Sequence, residues 1–211
     1  MKKNLTIIFA VALSFGVFAQ QNTWPSALGN VSFATDSTWT ISGNGIFQIW
    51  SDAVQTDYCS NKTEFHGGDL LRNLSVDCRS NPNLPGDLFS WQAVFDLRNE
   101  LCPYPWRVPK REDFINLDIA LGGTGNNRPY NTENIEFVKS KYITIWNGAF
   151  GGDSQADGTL RYQGSWGAYW SQTERLPPLG FTLSFGTDGT VGPQGWTTKS
   201  SGLGLRCVRD N

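Results

Sequence analysis

The stretch LFSWQAVFDLRNELC, residues 88–102, and the closing run LGLRCVRD, residues 203–210, together decide the architecture. In the first, Trp91, Phe95 and Cys102 stand four and seven residues apart, a spacing that puts them on one face of a helix. In the second, Leu203, Leu205 and Cys207 alternate with Gly204 and Arg206, so a strand there turns Cys207 inward with the leucines. Both sulfurs then face the core, which supports a bond tying the middle of the chain to its end. Two free buried thiols are the alternative.

Cys59 and Cys78 complete a set of four cysteines, which allows three pairings. A local Cys59–Cys78 pair would bracket the polar stretch CSNKTEFHGGDLLRNLSVDC. In the chain-entropy picture a bond closing that short loop contributes about 3 kcal/mol, and one from Cys102 to Cys207 somewhat under about 5 kcal/mol.

The helix near 88–101 is expected to start after Asp87 as N-cap and to end at Cys102-Pro103. A second helix, about 110–121, follows Pro109, with Phe114, Leu117 and Leu121 as its apolar stripe and Gly122-Gly123 as its stop. Upstream, residues 20–38 read as a lead-in, followed by strand-like TWTIS (38–42) and GIFQIW (45–50) around a Ser-Gly-Asn-Gly turn. Downstream come short strands and loops: KYITIWN (141–147), the loop GAFGGDSQADG (148–158), TLRYQ, WGAYWSQ, FTLSF, TVGP and LGLRCVR. Phe181, Leu183 and Phe185 alternate with Thr182 and Ser184, and Asp188-Gly189 then signals a hairpin into Thr190-Val191. Two main helices and several short antiparallel sheets make an α+β domain.

Charged residues are 17% of the chain, against about 25% in an ordinary soluble domain, while 23 glycines and 28 aromatic residues (nine Trp, six Tyr, thirteen Phe) point to many tight turns around a bulky core. A single histidine and a single methionine, Met1, exclude multi-histidine metal sites and a methionine redox ligand after processing. Lys2 and Lys3, the apolar run Leu5 to Ala19 and the small residues of Val17-Phe18-Ala19 form a cleavable secretory signal over 1–19. Fifteen apolar-run residues fall short of the roughly 20 that span a bilayer, and no second hydrophobic run follows, so no membrane span is expected after cleavage. Losing Lys2 and Lys3 from 17 basic and 19 acidic residues leaves a net charge of −4, with no basic cluster for phosphate, so nucleic acid is not an expected partner. Export makes disulfides the default for the cysteines.

The runs CPYPWRVPKREDF (102–114), YWSQTE (169–174), FTLSFGTDGTV (181–191) and GLGLRCVRD (202–210) closely resemble, in this order, the Fibrobacter succinogenes major paralogous domain, a family of exported bacterial proteins. Four spaced motifs are far more specific than any one of them, and the likeness covers about 39–210, so 39–211 is taken as the domain. The resemblance implies a C-type-lectin-like, disulfide-stapled scaffold, distantly similar to formylglycine-generating enzymes. It implies a Cys102–Cys207 pair, and a binding region in the long loop about 147–166. The Cys59–Cys78 insert departs from the plainest family members, so no role is carried over to it. The family has no common activity to transfer.

Aromatic rings on glycine-rich loops can stack on sugar faces, and Trp146, Tyr162, Trp166 and Trp196 lie nearest the loops, core packing being the bland alternative. Asp153-Ser154-Gln155-Ala156-Asp157-Gly158 matches the first six positions of a calcium loop. Position twelve is Gly164 where a glutamate should stand, so calcium is left open and no metal ligand is assigned. A solvated turn is the alternative for Asp153 and Asp157. His66 reads as a surface loop residue. Gly164-Ser165-Trp166-Gly167 lacks the spacing of a nucleophile elbow. Glu112 and Asp113 read as favourable charge at a helix start. With the cysteines consumed in bridges, the reactive cysteine pair of formylglycine-generating enzymes is missing, and no catalytic residue or cofactor is expected. The expected function is a non-enzymatic binding or adhesion module of a bacterial cell surface, periplasmic, surface-bound or extracellular, with carbohydrate or a cell-surface protein as partner. A structural or accessory subunit of a surface assembly and a sulfatase-activating enzyme are the alternatives.

Overall fold

Burial alternates along the first strands, where Val31 and Phe33 are buried and Ser32 between them is half-exposed. The computed structural model describes residues 21–26, 29–34, 39–43, 46–60, 62–65, 77–82 and 84–210; the signal-like residues 1–19, His66 and Asn44 and Gly45 of the expected turn lie outside them. Strands β1 (Gln21–Ser26) and β2 (Gly29–Ala34) form an antiparallel hairpin, as do β3 (Trp39–Gly43) and β4 (Ile46–Ala53). Strand β5 (Gln55–Thr56) returns against β2 and leads into the short helix α1 (Asp57–Ser60), which carries Cys59. Strand β6 (Cys78–Arg79) pairs with β7 (Leu88–Phe89). Cys59 is bonded to Cys78.

The helical stretch after β7 begins later than expected and breaks once. Helix α2 (Trp91–Asp96) is capped by Ser90, whose hydroxyl accepts from the Ala93 N–H at 3.1 Å, and Leu97 separates it from α3 (Arg98–Leu101). Asp87 does not cap it: its carboxylate turns the other way, accepting from the Thr56 N–H at 2.7 Å and from the Ser60 hydroxyl. Ser90 wins because it sits three residues before a free helical N–H, the reach a short side chain needs. Phe95, expected inward, is partly exposed and stacks on buried Trp91 with ring centroids 4.9 Å apart. Helix α4 (Arg111–Ala120) matches its expected stripe, with Phe114, Leu117 and Leu121 buried. At its start Asp113 accepts the Lys110 N–H at 2.6 Å, which turns a favourable charge into a geometric cap.

KYITIWN is not a strand. Helix α5 (Ile135–Phe137) runs directly into a π-helical segment, Val138–Ile145, that holds Tyr142. The β-branched residues Ile143, Thr144 and Ile145 favour a strand by propensity, but Val138, Tyr142 and Trp146 recur every four residues and are all buried, so packing of one helical face overrides propensity. The ribbon β8 (Asp153–Ser154) and β9 (Leu160–Arg161) subdivides the long loop. Strands β10 (Trp166–Leu176), β11 (Leu179–Gly186) and β12 (Val191–Thr198) form an antiparallel sheet, and β13 (Arg206–Asp210) adds to β4. Helices beside antiparallel sheets confirm the α+β class, and Cys102 is bonded to Cys207.

The β10–β12 sheet separates two apolar clusters. Tyr169, Leu183, Phe185 and Val191 face α4 and the π-helical segment, while Ala168 and Trp170 face α2, α3 and the Cys102–Cys207 bond. Two buried indoles are fixed by backbone carbonyls, Trp170 donating to Phe89 at 2.7 Å and Trp91 to Ser171 at 3.0 Å.

Asp87 gives the fold a pH dependence. Burial outweighs its two hydrogen bonds and pushes its carboxyl from 3.8 up to about 6. The proton is held more tightly in the folded chain, so this stabilisation is present below the unfolded pKa and is lost as pH rises through about 6, a swing of about 3 kcal/mol. Denaturant titrations of wild type and Asp87→Asn should therefore diverge between about pH 4 and about pH 8, the variant gaining about 3 kcal/mol relative to wild type. A difference that stays constant across that range would remove the assignment.

Candidate functional site

Strand alternation sends Ala168, Thr182 and Ser184 to the same side of the β10–β12 sheet, where Ala168 pairs with Ser184 across the strands. Together with Leu203, these residues floor an open cleft of about 640 Å³. Its walls include Asp153, Tyr162, Ser165 and Trp166 on one side and Thr187 and Asp188 on the turn between β11 and β12. Trp166 faces Gly186 across the strands, and its ring lies over that glycine so closely that a Cβ there would come within 2.8 Å of it. Gly186 thus lets the indole lie flat along the wall.

The cleft is held by main-chain bonds between distant segments. Thr187 N–H donates to the Ser165 carbonyl at 2.9 Å, tying the β11–β12 turn to the loop before β10. Ser165 and Trp166 both donate backbone N–H groups to the Tyr162 carbonyl at 3.0 Å. That turn holds Tyr162 at φ 56°, a left-handed conformation that costs a bulky residue about 1–2 kcal/mol. Its ring stands 58% exposed at the mouth of the cleft. Arg161 lies 5.3 Å from that ring and grips Asp153 through two hydrogen bonds of 3.0 and 2.7 Å.

Of the six residues singled out in the sequence, Asp153, Tyr162, Trp166 and Trp196 border this one cleft. Trp196 does so at the rim: it pairs with Phe181, whose side of the sheet is opposite to that of Thr182, and Arg175 stacks on its ring at 4.1 Å. Trp146 is not part of it. It is fully buried, packed against Trp50 and Tyr169 beneath the Arg206 guanidinium, because it continues the helical face of Val138 and Tyr142. Asp157 is also elsewhere, exposed and accepting the Thr159 N–H at 2.9 Å, a bond that lowers its pKa. Asp153 gives both oxygens to Arg161, so the calcium-like spacing is used for an ion pair and a turn. Among the described residues no three acidic, histidine or cysteine side chains gather as a metal site. Thr182, Ser184 and Asp188 were missed as site residues. Their alternation with buried Leu183 and Phe185 was readable, but it reports only that they face away from one core.

A model of the Fibrobacter succinogenes major domain matches residues 35–209. The chain belongs to this family. No curated protein and no solved structure matches it. In this Fibrobacter succinogenes major domain the recognisable motifs carry structure. In CPYPWRVPKREDF, Cys102 forms the long disulfide and Arg107 bridges Asp113, at 2.5 Å, to Asp210, at 3.0 Å. Those two carboxylates hold the Arg107 proton well beyond its ordinary range. In GLGLRCVRD, Arg206 is 1% exposed and donates to the Ser51 and Trp146 carbonyls. Burial pushes its guanidinium down to about 10, which leaves it charged at neutral pH. A smaller cleft of about 380 Å³, bordered by Asp52, Asn147, Tyr169 and Arg206, opens beside it.

Proposed function

We propose that this Fibrobacter succinogenes major domain is an exported, non-enzymatic glycan-binding module that receives a sugar chain in the cleft over the β10–β12 sheet. The observation that carries the reading is the gathering of Tyr162 and Trp166 with uncommitted hydroxyls in one concave face. Ring faces cover the apolar side of a pyranose, and hydroxyls meet its polar edge. The volume suits a few sugar units. The signal-like start and two disulfides support an oxidising destination, and among the described residues no helix is long and apolar enough to cross a membrane. A C-type-lectin-like scaffold, suggested by the family motifs, fits the same reading.

A glycan array probed with wild type and Trp166→Ala tests it. Wild type should retain at least one sugar class, and the variant should bind that class about tenfold or more weakly while keeping its circular dichroism. Retention of no glycan by wild type, or equal retention by a folded variant, would overturn the proposal.

A further inference from the structure

The polar groups of the cleft differ in how far the protein already uses them. Ser165 donates its hydroxyl to the Tyr162 carbonyl at 3.1 Å, and Asp153 has both oxygens on Arg161. Asp188 is different: Oδ1 accepts the Thr190 N–H at 2.9 Å, and Oδ2 has no protein partner among the described residues. The Thr182 and Ser184 hydroxyls, on the floor, likewise have none among those residues. Among the described residues, no lysine, arginine or histidine lines the cleft. Two cations that touch lining residues are engaged, Arg161 with Asp153, and Arg175 stacked on Trp196.

We infer that the cleft selects uncharged sugars over acidic ones, with Asp188 as the discriminating residue. This rests on the glycan-binding reading above. An ionised carboxylate with one free oxygen accepts hydroxyl protons from a neutral ring, and such charge-assisted bonds are the strong ones. The same oxygen faces a uronic or sialic carboxylate with like charge, and no cation among the described lining residues offsets it. Two neutral hydroxyls on the floor both donate and accept, so they serve either sugar and leave the choice to Asp188.

The experiment is titration calorimetry of the full-length processed protein with matched hexamers of mannose and mannuronate, and of galactose and galacturonate, each pair sharing one linkage. Wild type is expected to bind the neutral member of a pair about tenfold or more tightly, the gap narrowing as salt is raised. Asp188→Asn keeps an oxygen for the Thr190 N–H, so the turn survives. It should weaken the neutral sugar about tenfold and bring the ratio toward one. Equal or tighter binding of the uronate by wild type, or an unchanged ratio in the variant, overturns the selectivity while leaving the glycan reading intact. If no member of either pair binds and the array also retains nothing, the glycan reading itself fails and the selectivity with it; if the array retains another neutral glycan, that sugar and its acidic counterpart decide the matter by the same ratio.

Discussion

Replacing both Cys102 and Cys207 by alanine is expected to destabilise the protein by about 5 kcal/mol and to lower its melting temperature by about 10–20 °C. The bond closes a loop of sequence separation 105, so cutting it returns to the unfolded chain the freedom of half its length. It also ties two core elements: Cys102 follows α3, Cys207 lies in β13, and both are buried among Trp91, Leu101, Trp170 and Leu205. Losing Cys59–Cys78, with a separation of 19, should cost only about 3 kcal/mol by the same entropy argument. Paired thermal unfolding of the two double variants decides the matter. A larger drop for the Cys59/Cys78 variant would overturn the ranking, and if the Cys102/Cys207 variant does not fold, reductant titration of wild type gives the order of loss.

Arg206→Met should cost about 4 kcal/mol, or a melting-point fall of about 8–16 °C. Two effects oppose each other at this site. Burying an arginine that has no hydrogen-bonded carboxylate among the described residues is expensive, and methionine would relieve that cost. Against it, the guanidinium joins β4 to the end of the π-helical segment by serving the Ser51 and Trp146 carbonyls, and lies 4.1 Å from the Trp146 ring centroid. Each orphaned buried carbonyl costs about 1–3 kcal/mol, and a desolvated cation over an indole contributes about 2 kcal/mol more. The losses exceed the relief because Nε and Nη1 already sit on the two carbonyls, and only Nη2 lacks a partner among the described residues. Chemical denaturation of the variant checks this, and a variant as stable as wild type would show that the desolvation cost had won. Arg206→Lys should recover little, since one ammonium on a flexible stem does not reproduce a planar fork spanning two carbonyls.

Much of the scaffold was legible because its signals are local. The stripe Phe114, Leu117, Leu121 sets the buried face of α4 whatever it packs on. Asp188-Gly189 makes the β11–β12 hairpin through its own short-range bonds, Gly186 N–H to the Thr190 carbonyl at 2.9 Å among them. The inward orientation of Cys102 and Cys207 follows from period alone, and their bond was one pairing among three until the family motifs singled it out. The errors have one source. KYITIWN has strand propensity and helical burial, and Asp87 is drawn away to Thr56 and Ser60 while Ser90 caps locally; in each case contacts with distant residues removed the expected choice.

For the candidate site the balance shifts. Aromatic residues near glycine-rich loops were a fair first list, and Tyr162 and Trp166 do wall the cleft. The same rule also picked Trp146, because ring type says nothing about which side of an element meets solvent.

The amino-acid order therefore settled helix α4, the β3–β4 and β11–β12 hairpins and the inward turn of Cys102 and Cys207, since periodicity and turn chemistry act over a few residues. The meeting of Asp188 with Trp166 and Thr182, the depth of Arg206 and the burial of Trp146 came only with the packed molecule. Each depends on segments far apart in the chain approaching to hydrogen-bonding or van der Waals distance, and that free energy has no counterpart in any short stretch of sequence.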